Sequence, residues 1–597
     1  MDRWTDGPSA EHNSHRRIMN TITAPLRAGR TLLLGVAVFV GACSPTPATN
    51  AVPATVSATR VDTAAHGMVV SASSIASDVG RDVLAKGGNA VDAAIATGFA
   101  LAVTYPTAGN IGGGGFMVIR FPDGRATTID FREKAPAAAN PEMFTDSAGN
   151  YSSTIHHRSL RAVGVPGTVA GFALAHERYG KARWSQLVDP AAKLAENGFA
   201  APAGLASSLA RAVSRLKQYP ATVEAYSRHG DPYAAGERIT LPDLARTLGR
   251  IRDNGRDGFY TGETARLIAA EMQRGGGLIT EQDLAQYQAK ERAPIRGTYR
   301  GYEIISMPPP SSGGVALVEM LNILEGYELG KMGHNSPQYV HYVAEAMRRA
   351  FLDRARYLGD PDFTSAPLNR LTSKEYAAEL RRTILPDRAS PSAPTQIAQA
   401  HESPETTHFS VVDANGMAVS VTYTLEQGYG VGAVVPGAGF LLNNEMGDFN
   451  GKPGLTDSTG LIGTEPNLAR PGKRMLSSMT PSIVAKDGKL FAVVGSPGGR
   501  TIINTVLQVI LNQADFDMSL ADAVAAPRFH HQWLPDQLVV ERNGLSPTTV
   551  SALEAMGYHV QFGGEQGTAH SIRIDQRTGA RIGVADPRDS DAGAAGY

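Results

Sequence analysis

The sequence has almost no cysteine: among its 597 residues, Cys43 stands alone. A single cysteine excludes an intrachain disulfide and any metal site built from several thiolates. An excess of one charge is also lacking, because 56 basic residues stand against 57 acidic ones. Without a basic surplus or a run of Lys and Arg, nothing in the sequence indicates a nucleic-acid-binding surface. Long apolar runs are missing too, and the run at 31–40 is too short to span a bilayer comfortably.

The N-terminus has the pattern of an export signal. Arg27 and Arg30 precede the apolar run TLLLGVAVFV, which is followed by Gly-Ala-Cys43. This order of basic, apolar and small residues is typical of a secretory signal over residues 1–43. The segment V-G-A-C resembles the lipobox of bacterial lipoproteins, whose cysteine becomes the lipidated first residue. We therefore expect a periplasmic or outer-membrane-anchored lipoprotein, with a plain signal peptide and an incidental cysteine as the alternative.

The rest of the chain mixes helix and strand patterns. Residues 44–64 are rich in Ser, Thr, Pro and Ala, which predicts a flexible tether. Apolar residues at helical spacing predict that 165–384 is mostly helical, and they also predict helices outside that stretch. Alternating apolar and polar residues around Asp-Gly or Asn-Gly predict hairpins. Sheet and helices occur in both halves, which favours one layered αββα body of the α+β class. The predicted helices are 77–86, 90–103, 184–197, 337–358 and 502–512, and the predicted hairpins are 116–132, 407–426 and 479–495.

The stretch 385–405 is different, because it is rich in Pro, Ser and Ala and has no periodic apolar face. It predicts an exposed loop that ends where a core strand begins. Thr406 and Thr407 stand at this junction. A threonine hydroxyl is a weak nucleophile, and a free α-amine on the same residue could activate it if the chain were cut before it. From the residues alone, two ordinary β-branched strand residues are the simpler interpretation.

Five ordered segments change that balance, since each resembles a motif of the γ-glutamyltransferases (glutathione hydrolases). The likeness extends from about residue 65 to residue 597. It implies a four-layer αββα sandwich of the N-terminal-nucleophile hydrolase type. It also implies self-cleavage between Glu405 and Thr406 into a large subunit, 65–405, and a small subunit, 406–597, with no metal or cofactor. The segments are DFRE (130–133), ETTHFSVVD (405–413), NNEMGDF (443–449), KRMLSSM (473–479) and GSPGG (495–499).

The resemblance also implies site roles. Thr406 is the nucleophile and Thr424 hydrogen-bonds it, while Gly498 and Gly499 precede a helix and offer backbone N–H groups to an oxyanion. The substrate head of glutathione and other γ-glutamyl compounds carries an α-carboxylate and an α-ammonium. The implied partners of the carboxylate are the planar fork of Arg132 with Ser477 and Ser478, and those of the ammonium are Glu426, Glu445 and Asp448. The acyl group would pass to water, an amino acid or a peptide.

Three positions depart from the family pattern. Glu426 stands where several members have asparagine, Gly447 replaces the first aspartate of the MDDF segment, and Thr459 falls where some bacterial members carry a lid tyrosine. The segment 450–471 is long enough to form that lid.

Other interpretations stay open for several of these residues. Arg132 could be a surface strand residue, the two serines could satisfy backbone groups, and Gly498 and Gly499 could form a simple turn. At the level of the whole chain, the rivals are a cephalosporin or glutaryl acylase, which needs no ammonium site, and an inactive binding protein.

Two further features are discounted. The tetraglycine at 112–115 predicts close backbone packing rather than a phosphate cradle, because no GxxxxGK[ST] motif follows. The adjacent histidine pairs 156–157 and 530–531 lack the spacing needed to share a metal.

Overall fold

The computed structural model describes residues 60–393, 406–455, 457–459 and 463–597. The predicted signal over 1–43 with Cys43, most of the tether, and Glu405 therefore lie outside the described residues. Within them, no helix is both long and apolar enough to cross a membrane.

The chain begins with strands and helices that alternate, and a mostly helical stretch follows. To residue 179 the elements are β1 (Arg60–Ala64), β2 (Met68–Ser71), α1 (Ser74–Ala85), α2 (Ala90–Thr104), β3 (Gly114–Arg120), β4 (Ala126–Phe131), α3 (Ser153–Arg158) and α4 (Thr168–Tyr179). The helical stretch holds α5 (Trp184–Asn197), β5 (Phe199–Ala200), α6 (Ala203–Leu216), α7 (Pro220–Tyr226), β6 (Arg238–Ile239), α8 (Pro242–Asn254), α9 (Asp257–Tyr260), α10 (Gly262–Gly275) and α11 (Glu281–Gln286).

The remaining elements again combine strands and helices. Before the gap at 394–405 they are β7 (Lys290–Arg292), β8 (Ile295–Tyr299), β9 (Tyr302–Ser306), α12 (Gly313–Leu324), α13 (Leu329–Met332), α14 (Pro337–Tyr357), α15 (Leu368–Leu371) and α16 (Lys374–Arg381). After it come β10 (Thr407–Val412), β11 (Ala418–Thr424), β12 (Ser482–Lys486), β13 (Lys489–Val494), α17 (Thr501–Ala514), α18 (Leu520–Ala525), β14 (Phe529–His530), β15 (Leu538–Glu541), α19 (Pro547–Ala555), β16 (Val560–Gly563), β17 (Ser571–Ile574), β18 (Arg581–Ala585) and β19 (Gly593–Gly596).

Local sequence explains the long helices. Asn89 and Asp92 form a reciprocal capping box at the start of α2, and every residue of that helix is buried, as its apolar composition on all sides requires. Helix α14 starts with Ser336 as a side-chain cap and Pro337 in its first turn. The helices predicted at 90–103, 184–197 and 337–358 are confirmed to within a residue at each end.

Two seven-stranded sheets form the centre of the molecule. Their strand orders are β1-β18-β17-β13-β12-β9-β8 (sheet A) and β19-β2-β10-β11-β3-β4-β7 (sheet B). Alternation along each strand gives each sheet two apolar faces. In β3, Phe116 and Val118 join the core between the sheets, whereas Met117 and Ile119 pack on helices such as α2. A third core joins the far face of sheet A to α12, α14 and α17. The layers are thus helix, sheet, sheet, helix, which confirms the predicted αββα sandwich.

Two sequence expectations need correction. Residues 290–306 lie in the stretch predicted as mostly helical but form β7, β8 and β9. Their partners β4 and β12 are distant in sequence, so no local pattern announces the pairing. The tether predicted over 44–64 is also too long, because Arg60–Ala64 forms β1 and pairs with β18.

The predicted close packing at the tetraglycine is confirmed. A Cβ on Gly113 would lie 2.0 Å from the carbonyl oxygen of Thr424, and one on Gly115 would lie 2.4 Å from that of Thr422. Only glycine allows this approach, so the tetraglycine lets the end of β11 lie against the start of β3.

Candidate active site

Two hairpins, one from each central sheet, bring most of the predicted site residues together. In sheet B, the antiparallel pair β10–β11 aligns Thr407 with Tyr423, so Thr406 and Thr424 lie at the same end. In sheet A, the pair β12–β13 aligns Ser482 with Val494. The segment before β12 carries Ser477 and Ser478, and the segment after β13 carries Gly498 and Gly499.

The open ends of these hairpins meet at a small cavity. Three carboxyl groups and one guanidinium line it, together with hydroxyl groups from both hairpins. Nine of the ten residues proposed for catalysis and substrate binding line this cavity, and Gly498 is adjacent to one of them. The lining residues are Arg132, Thr406, Thr424, Glu426, Glu445, Asp448, Ser477, Ser478, Met479, Gly499 and Ile502.

The structure distinguishes the two threonines at the junction. Thr406 lines the cavity and is 6% exposed, whereas Thr407 is fully buried and does not line it. Successive side chains of a strand point to opposite faces, so Thr406 shares its face with His408 and Thr407 shares its face with Phe409. Phe409 packs in the core between sheet B and the helices. Of the two hydroxyls, only that of Thr406 is available to a ligand in the cavity.

Glu426 is held by its own loop and by Asn444 from a later segment of the chain. The backbone N–H of Glu426 donates to Thr424 Oγ1 at 2.9 Å, and Asn444 Nδ2 donates to the Glu426 carboxylate. Glu426 has a φ of 79°, in the left-handed region that non-glycine residues rarely adopt. Such a conformation costs about 1–3 kcal/mol and persists where the surrounding contacts enforce it.

Arg132 follows β4 and is completely buried. Its Nη1 donates to Glu445 and its Nη2 to Asp448. Nε donates to the Met475 carbonyl at 3.3 Å, and Nη2 also donates to the Leu476 carbonyl at 3.1 Å. The expected planar fork for a substrate carboxylate is therefore already engaged by protein carboxylates, and one Nη1 proton is left outside these bonds. The sequence assigned Arg132 to the substrate carboxylate, and Glu445 and Asp448 to the ammonium. The structure pairs these three side chains with one another, and their roles toward a substrate stay predictions.

Burial and charge oppose each other in this cluster. Burial alone would lower the pKa of Arg132, but Glu445, Asp448 and Glu133 outweigh it and raise that pKa. Burial raises the pKa of Glu445 well above its usual range, although Arg132 counteracts this. It also raises the pKa of Glu133 to about 8. The cluster therefore contains more carboxyl groups than its single guanidinium can keep ionised.

The serine pair is held by a buried arginine that the sequence did not single out. Arg354 on α14 is 2% exposed and donates from Nη2 to Ser478 Oγ at 3.1 Å. It also donates from Nε to Ser312 Oγ at 2.8 Å, and Ser312 in turn donates to the Ser477 carbonyl at 2.7 Å. Ser477 Oγ accepts from the Met479 N–H at 3.2 Å. Both serine oxygens thus accept hydrogen bonds from protein donors.

Gly498 and Gly499 have φ values of 130° and 55°, which glycine adopts without strain. Their carbonyls accept from Thr501 and Ile502 in the first turn of α17. In the described part of the chain, neither of their own N–H groups has a hydrogen-bond acceptor. Both N–H groups precede a helix N-terminus, which favours a negative charge.

One predicted feature is not part of the cavity. Thr459 is exposed and hydrogen-bonds Asp457. Its side chain is not among the cavity-lining residues. The segment around it is only partly described, so a lid over 450–471 stays a prediction.

The layered fold and the threonine at the start of a central strand define a hydrolase of the N-terminal-nucleophile type. The family model for γ-glutamyltranspeptidase matches residues 76–596. A glutathione hydrolase proenzyme of Escherichia coli (strain K12) is 49% identical over 538 residues, which cover 89% of this chain and 92% of that protein. The chain therefore belongs to the γ-glutamyltranspeptidase family.

Solved structures agree with this assignment. The crystal structure of a cephalosporin acylase from Bacillus halodurans has a TM-score of 0.79 at 28% identity and covers 94% of this chain and 99% of its own. The γ-glutamyltranspeptidase of Helicobacter pylori has a TM-score of 0.52 at 46% identity, covering 53% of this chain and 91% of its own. The match to the acylase extends over nearly the whole chain at lower identity, whereas the match to the transpeptidase extends over about half of the chain at higher identity.

Proposed function

We propose that this protein is a self-processed γ-glutamyltransferase and glutathione hydrolase that uses Thr406 as its nucleophile. The observation that carries the proposal is the composition of the cavity beside Thr406, where three carboxyl groups accompany a single guanidinium. A buried surplus of carboxylates is unfavourable unless a cation joins it. A γ-glutamyl head carries such a cation, its α-ammonium, together with an α-carboxylate for the hydroxyl groups of Ser477 and Ser478.

Maturation would begin within the intact chain. The Thr406 hydroxyl attacks the carbonyl carbon of Glu405, and the peptide C–N bond breaks as its nitrogen takes the proton. The acyl group now forms an ester on Thr406 Oγ, and water hydrolyses that ester. The products are the carboxylate of Glu405, which ends the large subunit, and a free α-amine on Thr406, which begins the small subunit (406–597).

The free α-amine of Thr406 would then act as the base for its own hydroxyl. The hydroxyl attacks the γ-amide carbonyl, while Thr424 orients the nucleophile. The N–H groups of Gly498 and Gly499 would stabilise the oxyanion, and loss of one such donor typically costs about 2.7–4 kcal/mol. The amine leaves with a proton, and a γ-glutamyl ester remains on Thr406. Water, an amino acid or a peptide then takes the acyl group and restores the hydroxyl. No step requires a metal or an organic cofactor.

Glu426, Glu445 and Asp448 would receive the substrate ammonium. Two of them pair with Arg132 in the described structure, so an ammonium would share these carboxylates with Arg132. The α-carboxylate would meet the hydroxyls of Ser477 and Ser478 and the remaining Nη1 proton of Arg132.

The acylase of similar architecture suggests a second function, since a glutaryl group lacks the ammonium. Three substrates distinguish a γ-glutamyltransferase from an acylase. They are γ-glutamyl p-nitroanilide, glutaryl p-nitroanilide, which lacks the amine, and 4-aminobutanoyl p-nitroanilide, which lacks the carboxylate. We expect turnover of the first to exceed both others by at least about tenfold, the effect of losing one charge-assisted bond. Release of nitroaniline should rise when a dipeptide acceptor is added. Preference for the glutaryl substrate would overturn the proposal in favour of an acylase, and no turnover of any substrate would favour an inactive protein.

Export is proposed on the sequence alone. Cys43 follows a basic and apolar signal pattern and would become the lipid-modified N-terminus of the mature chain. One acyl chain binds membranes only weakly, whereas two or three anchor a protein firmly. Mass spectrometry of the mature N-terminus tests this, and an unmodified terminus beyond Cys43 would rule it out.

A further inference from the structure

Two of the positions that depart from the family pattern meet at one side chain, the imidazole of His157. Glu426 Oε1 lies 3.5 Å from His157 Nδ1. A Cβ on Gly447 would lie 2.4 Å from the same nitrogen and 3.4 Å from the carboxyl carbon of Glu426. The imidazole therefore occupies space that any side chain at position 447 would need.

Space, and not backbone conformation, is what requires glycine at position 447. Gly447 is not among the glycines with positive φ, so its backbone would accept an L-residue. The obstacle is the His157 ring, since a Cβ contact of 2.4 Å is well inside van der Waals distance. An alanine or aspartate at 447 would have to push the imidazole away from Glu426.

His157 is also held in place from other sides. Its ring packs on that of His156, with 4.3 Å between the centroids, and its side chain is only 13% exposed. The carbonyl of His157 accepts from Asn444 Nδ2 at 3.0 Å, and the same amide nitrogen donates to the Glu426 carboxylate. One oxygen of Glu426 therefore accepts a hydrogen bond from Asn444. The other lies 3.5 Å from His157 Nδ1 without a hydrogen bond between the two atoms, so the imidazole restricts that oxygen by its bulk.

We propose that His157 is a positioning residue for substrate specificity, which holds the Glu426 carboxylate where it receives the α-ammonium of the substrate, and that Gly447 is glycine to make room for it. This inference rests on the proposed function. His157 acts through Glu426 and does not line the cavity itself. A displaced imidazole would let Glu426 turn away from the ammonium, so binding of the amine-bearing head would weaken while the nucleophile stays intact.

The test is a double-mutant cycle of Gly447→Ala and His157→Ala, measured as kcat and KM on γ-glutamyl p-nitroanilide. We expect each single variant to raise KM about tenfold with little change in kcat, within the usual range for residues in contact. In the His157→Ala background, Gly447→Ala should have almost no further effect, because its methyl group then enters vacated space. Additive effects of the two changes, or an unchanged KM in His157→Ala, would overturn the proposal.

A second readout separates recognition of the ammonium from general damage. Inhibition constants for L-glutamate and for glutarate, which lacks the amine, should be measured on each variant. The glutamate constant should rise and the glutarate constant should stay within about twofold, since only glutamate uses Glu426. Equal rises would overturn the proposal. Gly249→Ala is the matched control, because a Cβ there meets nothing within 4 Å; this variant should behave as wild type.

Folding and the proposed function are checked separately. Each variant is first examined on a denaturing gel for self-cleavage and by thermal melting. If Gly447→Ala fails to fold alone but folds with His157→Ala, the rescue supports the proposal directly. Wild-type turnover of γ-glutamyl p-nitroanilide decides the proposed function. If the wild type turns over this substrate but the effects of Gly447→Ala and His157→Ala on KM are additive, only the role of His157 is rejected and the proposed function stands.

Discussion

The two sides of the cavity beside Thr406 satisfy their polar groups in opposite ways. On the hydroxyl side, Ser477 and Ser478 both accept hydrogen bonds from the protein, and the Arg354 guanidinium holds Ser478. On the acidic side, carboxyl groups crowd around Arg132. One oxygen of Glu445 and both oxygens of Glu133 have no hydrogen-bond partner in the part of the chain that the structure describes.

This difference indicates what each side contributes. Hydroxyl groups fixed in advance bind an anion with little reorganisation. Buried carboxyl groups without partners cost stability, and that cost is relieved when a cation enters. With the proposed function, we expect the hydroxyl side to hold the substrate carboxylate in place and the acidic side to discriminate between substrates that carry an amine and those that do not.

The largest effect on self-cleavage and turnover is expected at Thr406, which lines the cavity between its two sides. Thr406→Ala should leave the chain whole on a denaturing gel and lower turnover by roughly four decades or more, as loss of a nucleophile does. The wild-type small fragment should begin Thr-Thr-His-Phe-Ser on N-terminal sequencing. Thr407→Ala is the control and should still be cut. If Thr407→Ala blocked cutting and Thr406→Ala did not, the assignment of the nucleophile would be wrong.

The next effect is expected at Arg132, the cation of the acidic side. Arg132→Ala should still self-cleave, because that reaction is intramolecular and needs no pocket for a free head group. Its kcat/KM on γ-glutamyl p-nitroanilide should fall by about two to four decades, since removing one partner of a buried pair costs about 3–5 kcal/mol. Arg132→Lys should recover only part of this activity.

A second substrate shows which side of the cavity Arg132 serves. 4-Aminobutanoyl p-nitroanilide lacks the α-carboxylate, so it should be a poor substrate of the wild type and lose little more in Arg132→Ala. Equal fractional losses on both substrates would mean that Arg132 acts through Glu445 and Asp448 or through the fold, and not on the substrate carboxylate.

A smaller effect is expected on the hydroxyl side. Arg354→Met and Ser478→Ala should each raise KM for γ-glutamyl p-nitroanilide about tenfold, and together little more than either alone, because they remove the same hydrogen bond. With 4-aminobutanoyl p-nitroanilide the effect of either change should be near zero. If the two changes raised KM for γ-glutamyl p-nitroanilide additively, Arg354 would not act through Ser478. The hydroxyl side of the cavity would then not be fixed in advance, and it would not differ from the acidic side in the way described above.

The last effect concerns stability and pH rather than turnover. The folded pKa of Glu133 is about 8, above its unfolded value, so the folded state holds this proton more tightly. The contribution of Glu133 to the free energy of unfolding is therefore greatest below about pH 4.5 and is lost as the pH rises towards 8. Glu133→Gln should flatten this decline by roughly 1–3 kcal/mol between pH 5 and 8, as judged by thermal melting. The same slope in both proteins would show that Glu133 stays ionised throughout.

Much of this architecture could be predicted because local patterns carried it. The Asn-Gly turn and the alternation around it predicted β10 and β11, and the apolar run 90–103 predicted a buried helix. Thr406 was found only through the neighbouring motif, because a β-branched residue at a strand start is common. The site roles named from the sequence stay proposals, although the structure brings nearly all those residues to one cavity.

Other features had no local signal. Arg354 and His157 lie in helices α14 and α3, and nothing near them in sequence distinguishes a buried functional contact from an ordinary helical position. Strands β7, β8 and β9 are short and pair with partners far along the chain, so periodicity over a few residues could not reveal them.

The sequence by itself determined the long helices, the hairpins around Asn-Gly and Asp-Gly, the glycines that allow close approach, and the identity of the family, because these depend on neighbouring residues and on motifs. Only the tertiary structure decided that Arg132 pairs with Glu445 and Asp448, that Arg354 reaches Ser478, and that Gly447 makes room for His157. These contacts join residues from different elements. Their geometry follows from how the two sheets and their helices pack, which no local stretch of sequence specifies.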